Sequence, residues 1–172
     1  MATAARIARE QRRALSEADI EELGERHARL FHASAPSCSP LPGAVELLAY
    51  LAESKIAYGI ATSGKPHEIE SSLKGLSLSP SAIVVDGGMV REVKPEPDLF
   101  LLCQQKLKVE RKDCLIVGDA VWDIHAARRS GILSIGMLSG GFGEQELYNA
   151  GAMRVYHDAE ALLKSIDELG FD

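Results

Sequence analysis

Three short segments of this sequence carry residue types suited to handling a charged oxyanion. In Thr62-Ser63-Gly64 a hydroxyl, a small residue and a glycine stand just before Pro66, a residue that favours the first position of a helix. Free backbone N–H groups at such a helix start, with the Thr62 hydroxyl, favour an anion such as phosphate. The same residues also serve as plain helix caps. Lys94 precedes Pro95 in "VKPEPDLF", residues 93–100, on a stiff extended stretch ahead of a helix. A lysine held there neutralises a phosphate or a carboxylate, whereas an ordinary surface lysine is merely solvated. In "LIVGDAVWDIHAA", residues 115–127, an apolar run ends at Gly118-Asp119, and Asp123 follows four residues later. A helix beginning near Ala120 puts Asp119 at its cap and Asp123 in its first turn, so that both carboxylates can face one space. Paired hard oxygen donors suit Mg2+, which keeps several waters and accepts phosphate oxygens. An N-cap and an acid favoured by the helix dipole explain each aspartate singly, but not their joint delivery by an apolar strand.

The surrounding elements must bring these segments together. Ser16 can cap a first helix, with Asp19 three residues on as a weak capping box. Ile20, Leu23, His27, Leu30 and Phe31 then share one face, which is expected to bury against a core. "SAPSCSPLP", residues 34–42, contains three prolines and ends that helical piece. Beyond it, helices are expected at 43–54, 66–76, 97–107, 121–130, 144–150 and 159–169. Strands are expected at 56–62, 83–85, 115–118, 132–137 and 154–156. This alternation of helices with short apolar strands predicts an α/β fold with a parallel sheet covered on both faces. Ligands bind such sheets at the carboxyl ends of the strands. Thr62-Ser63-Gly64, Asp86-Gly87-Gly88, Asp119 and the glycine-rich loop 140–143 all fall there.

Composition narrows the functional classes. The 172 residues are 46% apolar, 26% charged and 5% aromatic, which is globular and excludes disorder or collagen-like repeats. A net charge of −6 without a basic cluster argues against nucleic acid as the main partner. The apolar runs are too short to span a bilayer. Cys38, Cys103 and Cys114 are odd in number and lack zinc spacing, so they read as reduced thiols of a cytoplasmic protein. Residues 1–16, rich in Ala and Arg and with Glu10 as their one acid, read as an Arg-bearing surface helix. An organelle transit peptide is the alternative there. The five histidines show no metal spacing, and Trp122 is expected to pack beside the aspartate turn.

"ATSG", "VKPEPDLF" and "GDAVWDIHAA" resemble motifs II, III and IV of the haloacid dehalogenase (HAD) superfamily of hydrolases, in order and in spacing. "LPGAVELLAYL" and "SGGFGEQELYNAGA" resemble flanking segments of its phosphatase members. The resemblance implies a HAD-like Rossmannoid fold of three layers around a parallel sheet over 41–172, with residues 1–40 as a helical cap remnant and linker. It implies that Thr62 binds the transferring phosphate with the amides of Ser63 and Gly64, and that Lys94 neutralises it. It implies Mg2+ on Asp119, with Asp123 supporting the metal directly or through water, and a small phosphorylated metabolite as substrate.

One component of that family is absent from these residues. Motif I is an apolar strand ending in Asp-x-Asp, whose first aspartate is the nucleophile and whose second is the general acid and base. Asp-x-Asp does not occur in the sequence; Asp19 has no strand before it, and Asp86 follows motif II. The resemblance places the missing strand between the motif II and motif IV strands. Its loss leaves two strand edges without partners, at roughly 1–3 kcal/mol per buried unpaired group. The chain is therefore expected to be truncated and inactive as given. A non-catalytic HAD-like domain that binds phosphate or a protein is the alternative, and a phosphomutase shares the same motifs.

Overall fold

A computed structural model describes residues 15–34, 39–79 and 82–170 and divides the chain into two units, Met1–Cys38 and Ser39–Asp172. Most of the arginine-bearing segment, Pro36 and Cys38 lie outside the described residues.

Among its described residues the first unit holds helix α1, Glu17–Ser34. Its start follows the expected capping box. The Asp19 carboxylate accepts from the Ser16 amide at 2.8 Å, and the Ser16 hydroxyl accepts from the Asp19 amide at 3.2 Å. Within this unit Ile20, Leu23 and Leu30 of the apolar stripe are exposed. Helical periodicity fixes which side chains share a face, whereas burial requires a neighbouring surface that α1 does not contain.

The second unit alternates helices and strands as expected. Its helices are α2 (Ala44–Glu53), α3 (Pro66–Gly75), α4 (Asp98–Leu107), α5 (Val121–Ser130), α6 (Glu144–Ala150) and α7 (Ala159–Lys164). Its strands are β1 (Gly59–Ala61), β2 (Ile83–Val85), β3 (Leu115–Gly118), β4 (Leu133–Met137) and β5 (Arg154–Tyr156). Every strand pair is parallel, so the fold is α/β. The strands form two groups, β1–β2 and β3–β4–β5. Among the described residues, β1 is bonded to β2 and β3 to β4, each on one side only. Packing joins the groups instead. Phe100 of α4 clusters with Ile116 of β3 and with Ala126 and Ala127 of α5, and Ala61 of β1 packs against the same cluster.

Local sequence accounts for the element ends. Pro66 opens α3, where its missing N–H and fixed φ cost nothing. Gly131 closes α5 at φ 73°, a left-handed position that glycine adopts without strain. β1 is shorter than the expected 56–62 because Ile56 is used to end α2: Lys55 turns left-handed at φ 58°, and the Ile56 amide donates to Leu51 O at 2.9 Å. The last helix ends at Lys164 rather than 169, and a tighter 3-10 turn, Ile166–Leu169, buries Ile166. α2 packs on α7, with its apolar face half-buried. Two further clusters fill the interior. One is built from Val85, Leu99 and Cys103, the other from Ile124, Leu147, Ala150 and Ala152.

Candidate functional site

Thr62 leaves the end of β1 with its amide still in the ladder, donating to Val85 O at 2.9 Å. Its hydroxyl oxygen then accepts from the Gly64 amide at 3.2 Å. Ser63 lies between them with an exposed side chain. This loop interlocks with the one after β2, where the Gly87 amide donates to Gly64 O at 3.0 Å. A side chain at Gly87 would place its Cβ 2.4 Å from Ser63 O, so glycine is needed for the close approach. Asp86, only 5% exposed, turns its carboxylate back to accept from the Gly88 amide at 2.7 Å. The start of α3 is also engaged: the Lys65 amide donates to Glu68 Oε2 at 2.6 Å, a capping interaction that sequence reading missed.

The strongest contact of the site joins two of the predicted segments. Lys94 Nζ lies 2.7 Å from Asp123 Oδ1, and these side chains are only 16% and 10% exposed. The other Asp123 oxygen accepts from the Ala120 amide at 3.0 Å, capping α5. Gly118 makes room for this, because a Cβ there would sit 2.3 Å from the Asp123 Cβ. Lys94 Nζ also stands 5.2 Å from the centre of the Phe100 ring, within cation–π range. Phe100 touches Ala61, the residue before Thr62, through the shared cluster. One aromatic ring therefore lies under the lysine and against the end of β1.

Asp119 is half-buried, and its Oδ2 accepts from the Ser139 hydroxyl at 3.4 Å. Gly140 lies directly over it: a Cβ there would come within 2.1 Å of Asp119 O and 2.8 Å of its carboxyl carbon. Among the described residues Asp119 has no cationic partner, and no three His, Cys, Asp or Glu side chains converge on a metal position. Both Asp123 oxygens are already engaged. The donor set thus fits a cation that takes one carboxylate and fills its remaining positions with water and ligand oxygens, as Mg2+ does. Zinc, which wants four protein or near-protein donors, fits poorly.

The structure thus brings Lys94 and Asp123 into contact, sets Asp119 four residues from Asp123 at the α5 start, and links Lys94 to the Thr62 end of β1 through Phe100. Sequence reading placed the glycine-rich loop 140–143 at this edge but did not find Phe100, Ser139 or Glu68 as neighbours of the site. Of these, only Glu68 carries a local signal, its three-residue spacing from Lys65. Trp122 and His125, on the first turns of α5, hold their rings 6.4 Å apart in a tilted arrangement, at 60° to each other. Cys103 and Cys114 are free thiols, and burial pushes the pKa of each upward.

The described residues thus form a parallel α/β core that carries a strand-end hydroxyl loop, a sequestered lysine–aspartate pair and a nearby carboxylate with no cationic partner. The family model of haloacid dehalogenase-like hydrolases matches residues 2–137, and the chain belongs to that family. It is 31% identical over 160 residues to the phosphoglycolate phosphatase of Rhodospirillum rubrum, covering 90% of this chain and 65% of that protein. It is 33% identical over 105 residues to hexitol phosphatase A of Escherichia coli, covering 61% of this chain and 49% of that one. The chain therefore spans about half to two thirds of the length of these curated relatives. A crystal structure of a hydrolase from Pseudomonas syringae matches with a TM-score of 0.84 at 39% identity, covering 96% of this chain and 76% of that one.

Proposed function

We propose that these residues are the phosphate- and metal-binding core of a Mg2+-dependent phosphatase of small phosphorylated metabolites. The Lys94–Asp123 pair carries the reading: a cation held out of water, oriented by a carboxylate in the first turn of α5, beside a second carboxylate with oxygens to spare. The names of the curated relatives, phosphatases of phosphoglycolate and of hexitol phosphates, support it. In this reading Thr62 and the amides of Ser63 and Gly64 bind the phosphate, and the Gly64 amide exchanges its bond to the Thr62 hydroxyl for one to the anion. Lys94 neutralises the phosphate charge. Asp119 would hold Mg2+, and Asp123, with both oxygens engaged, would fix Lys94 and support the metal through water. When bound, Mg2+ supplies positive charge to the phosphate oxygens. Residues 1–40 would be the end of a helical cap and its linker. Reduced Cys103 and Cys114 fit a cytoplasmic protein.

The nucleophilic aspartate of the family is not among these residues, since Asp-x-Asp does not occur. The chain as given is therefore proposed to bind phosphate without turning over a phosphomonoester. Calorimetric titration of the chain with inorganic phosphate, with and without Mg2+, tests the first half; p-nitrophenyl phosphate hydrolysis tests the second. Phosphate binding that needs Mg2+ and disappears in Lys94→Met and Asp119→Asn is expected, with no hydrolysis. Absence of phosphate binding by the folded chain would sink the site assignment. Hydrolysis that Asp119→Asn abolishes would show a nucleophile within the chain and overturn the proposed inactivity.

A further inference from the structure

The geometry points to Arg129 as the residue that positions Lys94, acting on the backbone of the lysine's turn from the far end of α5. Arg129 lies in the last turn of α5, and among the described residues its side-chain hydrogen bonds go to Pro95 and Glu96 rather than to the aspartates or Thr62. Its Nη1 donates to Pro95 O at 2.9 Å and pairs with Glu96 Oε1 at 2.5 Å. Asp123, in the first turn of the same helix, takes the Lys94 ammonium. Six residues separate Asp123 from Arg129, or about 9 Å of helix at the usual rise. One rigid helix thus grips the Val93–Glu96 turn twice, once by its cationic head and once by its backbone.

The turn has need of that second grip. Its internal hydrogen bond runs from the Glu96 amide to Val93 O at 3.0 Å, and its far side is tied by the Glu92 amide to Asp98 Oδ2 at 3.3 Å. Lysine has four flexible side-chain bonds, so the location of its head depends on where the backbone starts. A guanidinium can serve a carbonyl and a carboxylate together, whereas an ammonium serves as a point donor. As an ion pair alone, Arg129–Glu96 is 47% and 45% exposed and adds little stability. Its effect is geometric: it holds the Pro95 carbonyl, and with it the origin of the Lys94 side chain.

The inference rests on the reading that Lys94 faces the phosphate, but the clamp can be measured without any ligand. Competitive acetylation with trace acetic anhydride, read by mass spectrometry, compares Lys94 with Lys74 and Lys164, which pair with glutamates on their own helices. In Arg129→Ala, labelling of Lys94 should rise about threefold to fivefold, the factor for an exposed ion pair with one added charge-assisted hydrogen bond. Lys74 and Lys164 should not change. Arg129→Lys should fall between wild type and alanine, and Glu96→Gln should stay near wild type because the Pro95 bond survives. The phosphate dissociation constant with Mg2+ should weaken by the same factor in Arg129→Ala. Unchanged Lys94 labelling, or an equal rise at all three lysines, would overturn the clamp. Wild-type protein that binds no phosphate but shows the selective rise would overturn the phosphate reading and leave the clamp standing.

Discussion

Replacing Asp123 with asparagine probes the centre of the site. The change keeps an oxygen for the Ala120 amide, so the α5 cap survives, but it strips Lys94 of its counter-charge. At 2.7 Å and an effective dielectric near 20, the gross attraction is about 6 kcal/mol. Desolvation of two side chains this sequestered offsets much of that, so the pair adds little net stability as a whole. Removing one partner is different, because it leaves an uncompensated charge in a poorly hydrated place. That costs about 3–5 kcal/mol when burial is complete. Residual exposure of 16% at Lys94 and its contact with Phe100 reduce the expected loss to about 2–3 kcal/mol. For a chain of this size that is a fall in Tm of about 4–12 °C. Urea unfolding of Asp123→Asn, Lys94→Met and the double variant measures it. Lys94→Met should be milder, and the double variant should recover at least half of the loss seen in Asp123→Asn. If Asp123→Asn lies within about 0.5 kcal/mol of wild type, or the double variant recovers nothing, the charge-burial reasoning is refuted.

Other perturbations test neighbouring features. Gly140→Ala forces a methyl into the Asp119 backbone, so stability should fall by about 1–3 kcal/mol and Mg2+ affinity by tenfold or more, read by unfolding and by calorimetry. The Cys103 thiol, its pKa pushed up first by burial and then by the nearby Cys114, should resist iodoacetamide in the native state and react at the rate of unfolding. Its unfolded form ionises first as pH rises, so thermal stability should fall above the ordinary thiol range, and Cys103→Ala should flatten that fall. The Asp158 carboxyl is held below the ordinary aspartate value by the Ala161 amide and then by His157. Its contribution is therefore present above that ordinary value and lost as pH falls through the lowered one. Asp158→Asn should flatten the acid limb of a Tm-against-pH profile.

Much of this protein is local and so was readable from the chain. The capping box at Ser16, proline at the start of α3 and glycine at the end of α5 act over three or four residues, and those helices begin or end near where the residues say. Strands 83–85, 115–118 and 154–156 stand as expected, because short apolar runs between turn residues have few other options. The motifs carrying Thr62, Lys94, Asp119 and Asp123 were visible as residue types at fixed spacings, and the family match agrees with their resemblance. Their roles were not fully visible. The sequence offered both Asp119 and Asp123 toward one metal, yet the structure gives Asp123 to Lys94 and leaves Asp119 without a cationic partner among the described residues. That difference depends on a lysine 29 residues away, placed by the packing of α4 against α5. Gly140 over Asp119 and Arg129 on the Pro95 carbonyl also come from distant parts of the chain, and even Phe100, only six residues from Lys94, reaches it through the fold of the turn and α4. Spacing and composition determine which groups a segment offers. Only tertiary packing decides which of them meet, because pairing at 3 Å depends on how whole helices and strands stack.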